Sequence, residues 1–197
     1  MELREILKDH LQQSFDLLKE FSLNDQYLQT VEEAALTIIS SLKSGKKIIS
    51  AGNGGSMCDA MHFAEELMGK WRKERAPLAA ICINDPGYLT CVSNDFSFDH
   101  VFSRAIDALG QKGDIFFGIT TSGNSKNIIK ACEAAFEKGM KTIIMTSDTN
   151  GEIQTLHADI VDNFILVPSF RYADRIQELH IKIIHSLIDM IERNLEK

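Results

Sequence analysis

The chain has no Cys-x-x-Cys pair, no uncharged run long enough to cross a bilayer and no excess of basic residues. Its four cysteines, Cys58, Cys82, Cys91 and Cys132, are dispersed; they read as reduced core residues of a cytosolic protein rather than a disulfide framework. Glu2, Arg4, Glu5, Lys8 and Asp9 interrupt the first leucines, which excludes a signal-peptide core and predicts a cytoplasmic location. Without an apolar span there is no membrane partner to expect. A net charge of −7 sets up no field that would gather nucleic acid or anionic lipid. There is also no linker, low-complexity tract or repeat, so residues 1–197 are expected to form one domain, with a helical pair over 1–45 and a sandwich over 46–197.

What is present falls into two patterns. Leu3, Leu7, Leu11, Phe15 and Leu18 recur every three or four residues, as do Leu28, Val31, Ala35, Ile38 and Leu42, which predicts two N-terminal helices. From Lys46 onward, apolar runs alternate with amphipathic stretches. The runs "KKIISAG", "LAAICIN", "DIFFGITTS", "KTIIMTS" and "NFILVPS" predict five strands. Near-continuous apolar strands separated by helices point to a parallel sheet covered on both faces, a three-layer αβα sandwich of the α/β class. Helices are expected at about Gly55 to Trp71, Phe98 to Leu109, Asn124 to Lys138 and Ala173 to Leu195. The last carries a broad stripe, Ile176, Leu179, Ile183, Ile184, Leu187, Ile191 and Leu195, and with the N-terminal pair it offers more apolar surface than five strands need. That excess predicts association between subunits.

Ligands of an open α/β sheet gather beyond the carboxyl ends of the strands, where the next helix begins. Two such turns here carry distinctive chemistry: Gly52-Asn53-Gly54-Gly55-Ser56 and Thr120-Thr121-Ser122-Gly123-Asn124-Ser125. The first is not a dinucleotide fingerprint, because Met57 stands where the third glycine would be, and no Gly-Lys-Ser/Thr makes it a Walker loop. What remains is accessible backbone with hydroxyls from Ser56, Thr120, Thr121, Ser122 and Ser125, a set suited to a phosphate monoester. Either turn alone would be explained by helix capping; together they favour the ligand.

Downstream of the first turn, His62 and Glu66 share a helix face at a spacing of four, whereas Glu65 faces elsewhere. The spacing is not that of His-Glu-x-x-His. In the last helix Gln177 and His185 lie eight residues apart and near one face, with Asp174 a turn earlier. Asn94-Asp95 forms a further polar island, read as a turn or as a source of sugar-hydroxyl contacts.

"GNGGS", "DAMHFAEEL", "SNDF", "TTSGNS" and "ADRIQELHIKIIH" resemble, in this order from about Lys46 to Ile191, the bacterial phosphoheptose isomerases of the sugar-isomerase (SIS) domain superfamily. The resemblance implies a homotetramer of flavodoxin-like sandwiches that interconverts sedoheptulose 7-phosphate and glycero-manno-heptose 7-phosphate, at the entry to heptose for envelope polysaccharide. It implies zinc near His62, Glu66, Gln177 and His185. It places phosphate at Ser56, Thr120, Thr121, Ser122 and Ser125, and the sugar against Asn53, Gly54, Gly55, Asn94 and Asp95, with Asp174 and Gln177 also touching substrate. Thr120 departs from the serine frequent in the family, and its methyl could crowd that contact.

Moving a carbonyl between C2 and C1 needs one base that takes a proton beside the carbonyl and returns it to the neighbouring carbon. Glu66 is the candidate, with His185 as the second acid/base. A carboxylate bound to zinc is a weaker base, so the metal is read as fixing the resting site. The rival reading is a non-enzymatic tetramer of the same fold that binds the replication initiator. Such proteins lack the matching acid and terminal histidine, and both are present here. A sensor of phosphosugars would be expected to carry a further module.

Overall fold

Short β-branched and aromatic runs become strands where both faces can be covered, and five do so in this computed structural model, which describes residues 2–195. They are β1 (Ile48–Gly52), β2 (Ala80–Cys82), β3 (Ile115–Ile119), β4 (Lys141–Ser147) and β5 (Asn163–Val167). All pair in parallel, in the order β2-β1-β3-β4-β5. The helices are α1 (Leu3–Ser22), α2 (Asp25–Lys43), α3 (Gly55–Met68), α4 (Pro86–Asp95), α5 (Ser103–Leu109), α6 (Lys126–Glu137), α7 (Glu152–Thr155) and α8 (Ala173–Leu195).

Alternate residues of each strand enter opposite cores. Ile48, Ile115, Phe117, Ile143, Met145 and Ile165 pack with α1, α2, α3 and α8, whereas Ile49, Phe116 and Ile144 pack with α4, α5 and α6. Both sets are apolar, which is why the strands read as continuous runs. Phe63 of α3 meets Phe117 of β3 with ring centroids 4.6 Å apart. Each such fully buried side chain stabilises the fold by roughly 1.5 to 3 kcal/mol, and these contacts seat α3 firmly on the sheet.

Three expectations need correction. No helix is expected from the sequence between β2 and residue 98, yet Pro86–Asp95 is helical: Asp85 Oδ1 accepts from the Tyr88 amide at 2.6 Å and Pro86 occupies the first helical turn, so the Pro-Gly pair launches a helix. Asn94 and Asp95 are therefore the last turn of α4. The single helix expected over 98–109 is a 3-10 turn (Phe98–His100) followed by α5. Of the cysteines, Cys132 is buried but Cys58 and Cys91 are exposed, since each falls on the outer side of its helix.

The strand order reverses direction between β1 and β3. Gly52 lies opposite Ile119 across that pair, so the turns following the two strands are neighbours at the point where ligands of such sheets bind.

Candidate active site

The glycine turn is dictated by space. A side-chain carbon at Gly52 would sit 2.4 Å from the Ser56 carbonyl oxygen, and Gly54 has φ +55°, the left-handed region that glycine enters without strain. Asn53, between them, exchanges two hydrogen bonds of 2.9 Å with Asn127 of α6, which locks the first turn to the helix after the second. In the second turn Thr120 is buried with its Oγ1 3.1 Å from Ser125 Oγ, and Ser122 Oγ accepts from the Asn124 amide at 3.2 Å. Ser125 occupies the N-cap position of α6 yet makes no capping hydrogen bond; its hydroxyl is engaged with Thr120. The first turn of α3 likewise has no side-chain cap. Two helix starts are thus left without side-chain acceptors for their amides, the condition under which an anion is bound.

Asn53, Gly55, Ser56 and Thr121 line one wall of a cleft of about 320 Å³, and Ala173, Asp174 and Gln177 from the start of α8 line the other. Gln177 Nε2 donates to Asp59 Oδ1 at 2.6 Å, leaving its Oε1 as an acceptor. Burial pushes the Asp59 carboxyl up to about 6, against the opposing effects of Gln177 and His62.

One turn further along α3 the chemistry changes from hydroxyl to imidazole and carboxylate. His62 Nε2 lies 3.0 Å from His185 Nε2 of α8 and 3.7 Å from Glu66 Oε1. Burial raises the Glu66 carboxyl above its ordinary value, with Glu65 adding to the effect, and burial lowers His185. Those directions favour a stronger base at Glu66 and a neutral imidazole at His185. Trp71 packs on His185 with ring centroids 5.0 Å apart. A second cleft, about 570 Å³, opens along the outer side of α3 past His62 and Glu65 toward Cys82 and Asn84.

Adjacent nitrogens on a tetrahedral zinc, each about 2.0 to 2.1 Å from the ion, lie about 3.3 Å apart. The separation of the two imidazole nitrogens is close to that, so the His62 and His185 rings are spaced as two ligands of a metal would be. Glu65 belongs to the same cluster, contrary to the sequence reading: its Oε2 is 3.2 Å from His62 Nδ1. His62, Glu65 and Glu66 offer ligand atoms within 4.8 Å of one another.

The sites expected from sequence thus divide. Asn53, Gly55, Ser56, Thr121, Asp174 and Gln177 meet at the starts of α3 and α8, and His62, Glu66 and His185 form a second group further along the same two helices. Asn94 and Asp95 hydrogen-bond to each other at 2.9 Å in the exposed last turn of α4. Asp59, Asn127 and Trp71 were missed. Asp59 precedes His62 by three residues and so shares its face, a signal available in the sequence; Asn127 and Trp71 meet their partners only through the fold.

A parallel α/β sheet with hydroxyl-bearing turns at its switch point defines the class of protein that binds a ligand beyond the carboxyl ends of its strands. The SIS domain family profile matches residues 10–147. A phosphoheptose isomerase from Glaesserella parasuis is 55% identical over 95% of this chain and 95% of its own length. One from Vibrio vulnificus is 51% identical over 98% of this chain and 99% of its own. The solved structure of a phosphoheptose isomerase from Francisella tularensis superposes with TM-score 0.91 at 32% identity, covering 98% of this chain and 100% of that one. The chain belongs to the SIS domain family and, within it, to the phosphoheptose isomerases.

Proposed function

We propose that this enzyme converts sedoheptulose 7-phosphate to D-glycero-D-manno-heptose 7-phosphate through a cis-enediol, in the biosynthesis of heptose for envelope polysaccharide. The observation that carries the reading is the apposition of Glu66, His62 and His185 on α3 and α8, the helices whose starts line the cleft beside the glycine turn. The phosphate sits against Ser56, Thr120, Thr121, Ser122 and Ser125, and the chain of the sugar runs past Asp174 and Gln177 toward α3.

In the open-chain ketose Glu66 takes a proton from C1 while the C2 carbonyl oxygen gains one, giving the enediol. Glu66 then returns its proton to C2 as the hydroxyl on C1 loses its own, which leaves the aldehyde. His185, held neutral by burial, moves the proton between the two oxygens. His62, Glu66, Gln177 and His185 would hold a zinc ion that fixes the resting site, and the Lewis acidity of such an ion would stabilise negative charge on oxygen. The enzyme acts in the cytoplasm.

We further read the working form as a homotetramer. Leu3, Leu7, Leu11 and Phe15 stand on the outer side of α1 with 59% to 84% of their surface exposed, a continuous apolar stripe of the kind that subunits cover.

Incubation of the purified protein with sedoheptulose 7-phosphate, followed by analysis for the aldose phosphate, tests the function. Absence of product with and without added zinc would refute it. The initiator-binding alternative would then be measured by direct association with that protein.

A further inference from the structure

The last turn of α3, which bears Glu66, ends without a left-handed glycine cap. Gly69 has φ −85° and ψ −133°, and its amide reaches back only to the Glu65 carbonyl, at 2.7 Å. The final carbonyls of a helix have no partner within it. Here they receive Arg75. Its Nη2 donates to the Glu66 carbonyl at 2.9 Å, its Nη1 to the carbonyls of Leu67 at 2.9 Å and Ala76 at 3.1 Å, and its Nε to Glu192 Oε1 on α8 at 2.9 Å.

Both charged side chains are enclosed, Arg75 with 9% and Glu192 with 4% of its surface exposed. Enclosing an ion pair costs desolvation energy, and apolar residues of similar volume often stabilise a fold as well or better. Stability therefore gives no reason for this pair, whereas its geometry does. Glu192 lies about two helical turns along α8 from His185, and the opposite end of the guanidinium holds the backbone of Glu66 itself. One planar group joins the main chain of the proposed base to the helix that carries the second acid/base. Arg72 adds a tie to Asp189 of α8 at 3.1 Å, and Trp71 lies against His185, so residues 69–78 cross both helices as a strap.

We infer that Arg75 is a positioning residue for the isomerisation: bound to Glu192, it fixes where the last turn of α3 stops and hence where Glu66 stands relative to His185. The inference rests on the isomerase reading above. A lysine in its place would keep the charge but could not span the Glu66 and Leu67 carbonyls and Glu192 together, because only the guanidinium presents a rigid fork of donors.

The test compares wild type, the Arg75→Met/Glu192→Leu double variant and Arg75→Lys. The double variant removes both enclosed charges at once, so neither is left uncompensated. Initial rates with sedoheptulose 7-phosphate give kcat and KM separately, and thermal melting is recorded on the same preparations. Displacing a group in the site lowers kcat more than KM, so the double variant should melt within a few degrees of wild type, keep KM within about twofold and lose at least about tenfold in kcat. Arg75→Lys should show the same split, and it decides alone if the double variant does not fold. A kcat within about threefold of wild type, or a loss that only follows the fraction of folded protein, overturns the inference while leaving the isomerase reading intact. Wild type without turnover overturns that reading first, and this inference with it.

Discussion

The two longest helices, α1 and α8, carry the same kind of apolar repeat and use it in opposite ways. On α8 the repeat is hidden: Ile176, Leu179, Ile183, Ile184, Leu187, Ile188 and Ile191 are all buried, and the helix packs against α1, α2 and α3. On α1 only Leu17 and Phe21 are buried, while the stripe from Leu3 to Phe15 faces outward. The consequence for function is direct. Polar residues set beside a buried stripe are held in fixed places, which is how Gln177 comes to meet Asp59 and His185 to meet His62. Apolar residues set on an exposed helix have nothing to order within the chain and are left for association.

The largest effect is expected where α8 and α3 meet. Glu66→Gln keeps the size of the side chain but cannot accept a proton, so turnover should fall by at least roughly a hundredfold, and His185→Asn should be similarly impaired. Zinc content measured on both variants separates base from ligand, since loss of a ligand lowers it. Wild-type rates in Glu66→Gln would remove the mechanism.

In the phosphate turns, Ser122→Ala and Ser125→Ala should each weaken substrate binding by about 1 to 3 kcal/mol with the fold intact. Equal turnover of phosphorylated and unphosphorylated sedoheptulose would contradict the role given to both turns.

A pH effect distinguishes the interior of α8 from the surface of α1. His180 is fully buried, neither ring nitrogen has a hydrogen-bond partner, and burial pushes it down to about 3. The unfolded chain binds this proton near pH 6.5 and the folded chain does not, so stability is complete above that pH and falls as pH drops toward 3. Urea denaturation should show a loss of about 2 kcal/mol between pH 7 and pH 5 from this group, absent in His180→Leu. An unchanged pH slope in that variant would mean His180 is not the group responsible.

On α1, Leu7→Glu/Leu11→Glu should reduce the mass found by light scattering from a tetramer toward smaller species, with helical content nearly unchanged. A tetramer that persists would show that the exposed stripe is not the interface. The smallest effect is expected for Glu65→Gln, which weakens but does not remove the contact with His62 Nδ1: turnover should fall only a few-fold. A hundredfold loss there would move the proton-transfer role toward Glu65.

Much of this was open to reading from the residues. Strand number, parallel pairing and the helices of both termini follow from apolar periodicity, which responds to local geometry and to how many faces must be covered. The hydroxyl turns and the His62/Glu66 spacing are local too, for a helix places residues four apart on one side whatever surrounds it. Long-range relations were not legible in the same way. Asn94 and Asp95 read as a turn in "SNDF", yet they close a helix, α4. Asn127, Trp71 and Arg75 look like ordinary helix and loop residues until the sheet order brings β3 beside β1 and α8 across α3. Sequence alone determined the five strands, the N-terminal helix pair and α8, because apolar periodicity is a property of a few consecutive residues. Only the tertiary structure decided which faces meet, which apolar stripe stays exposed and which arginine stands behind Glu66, because these depend on packing between segments up to a hundred or more residues apart.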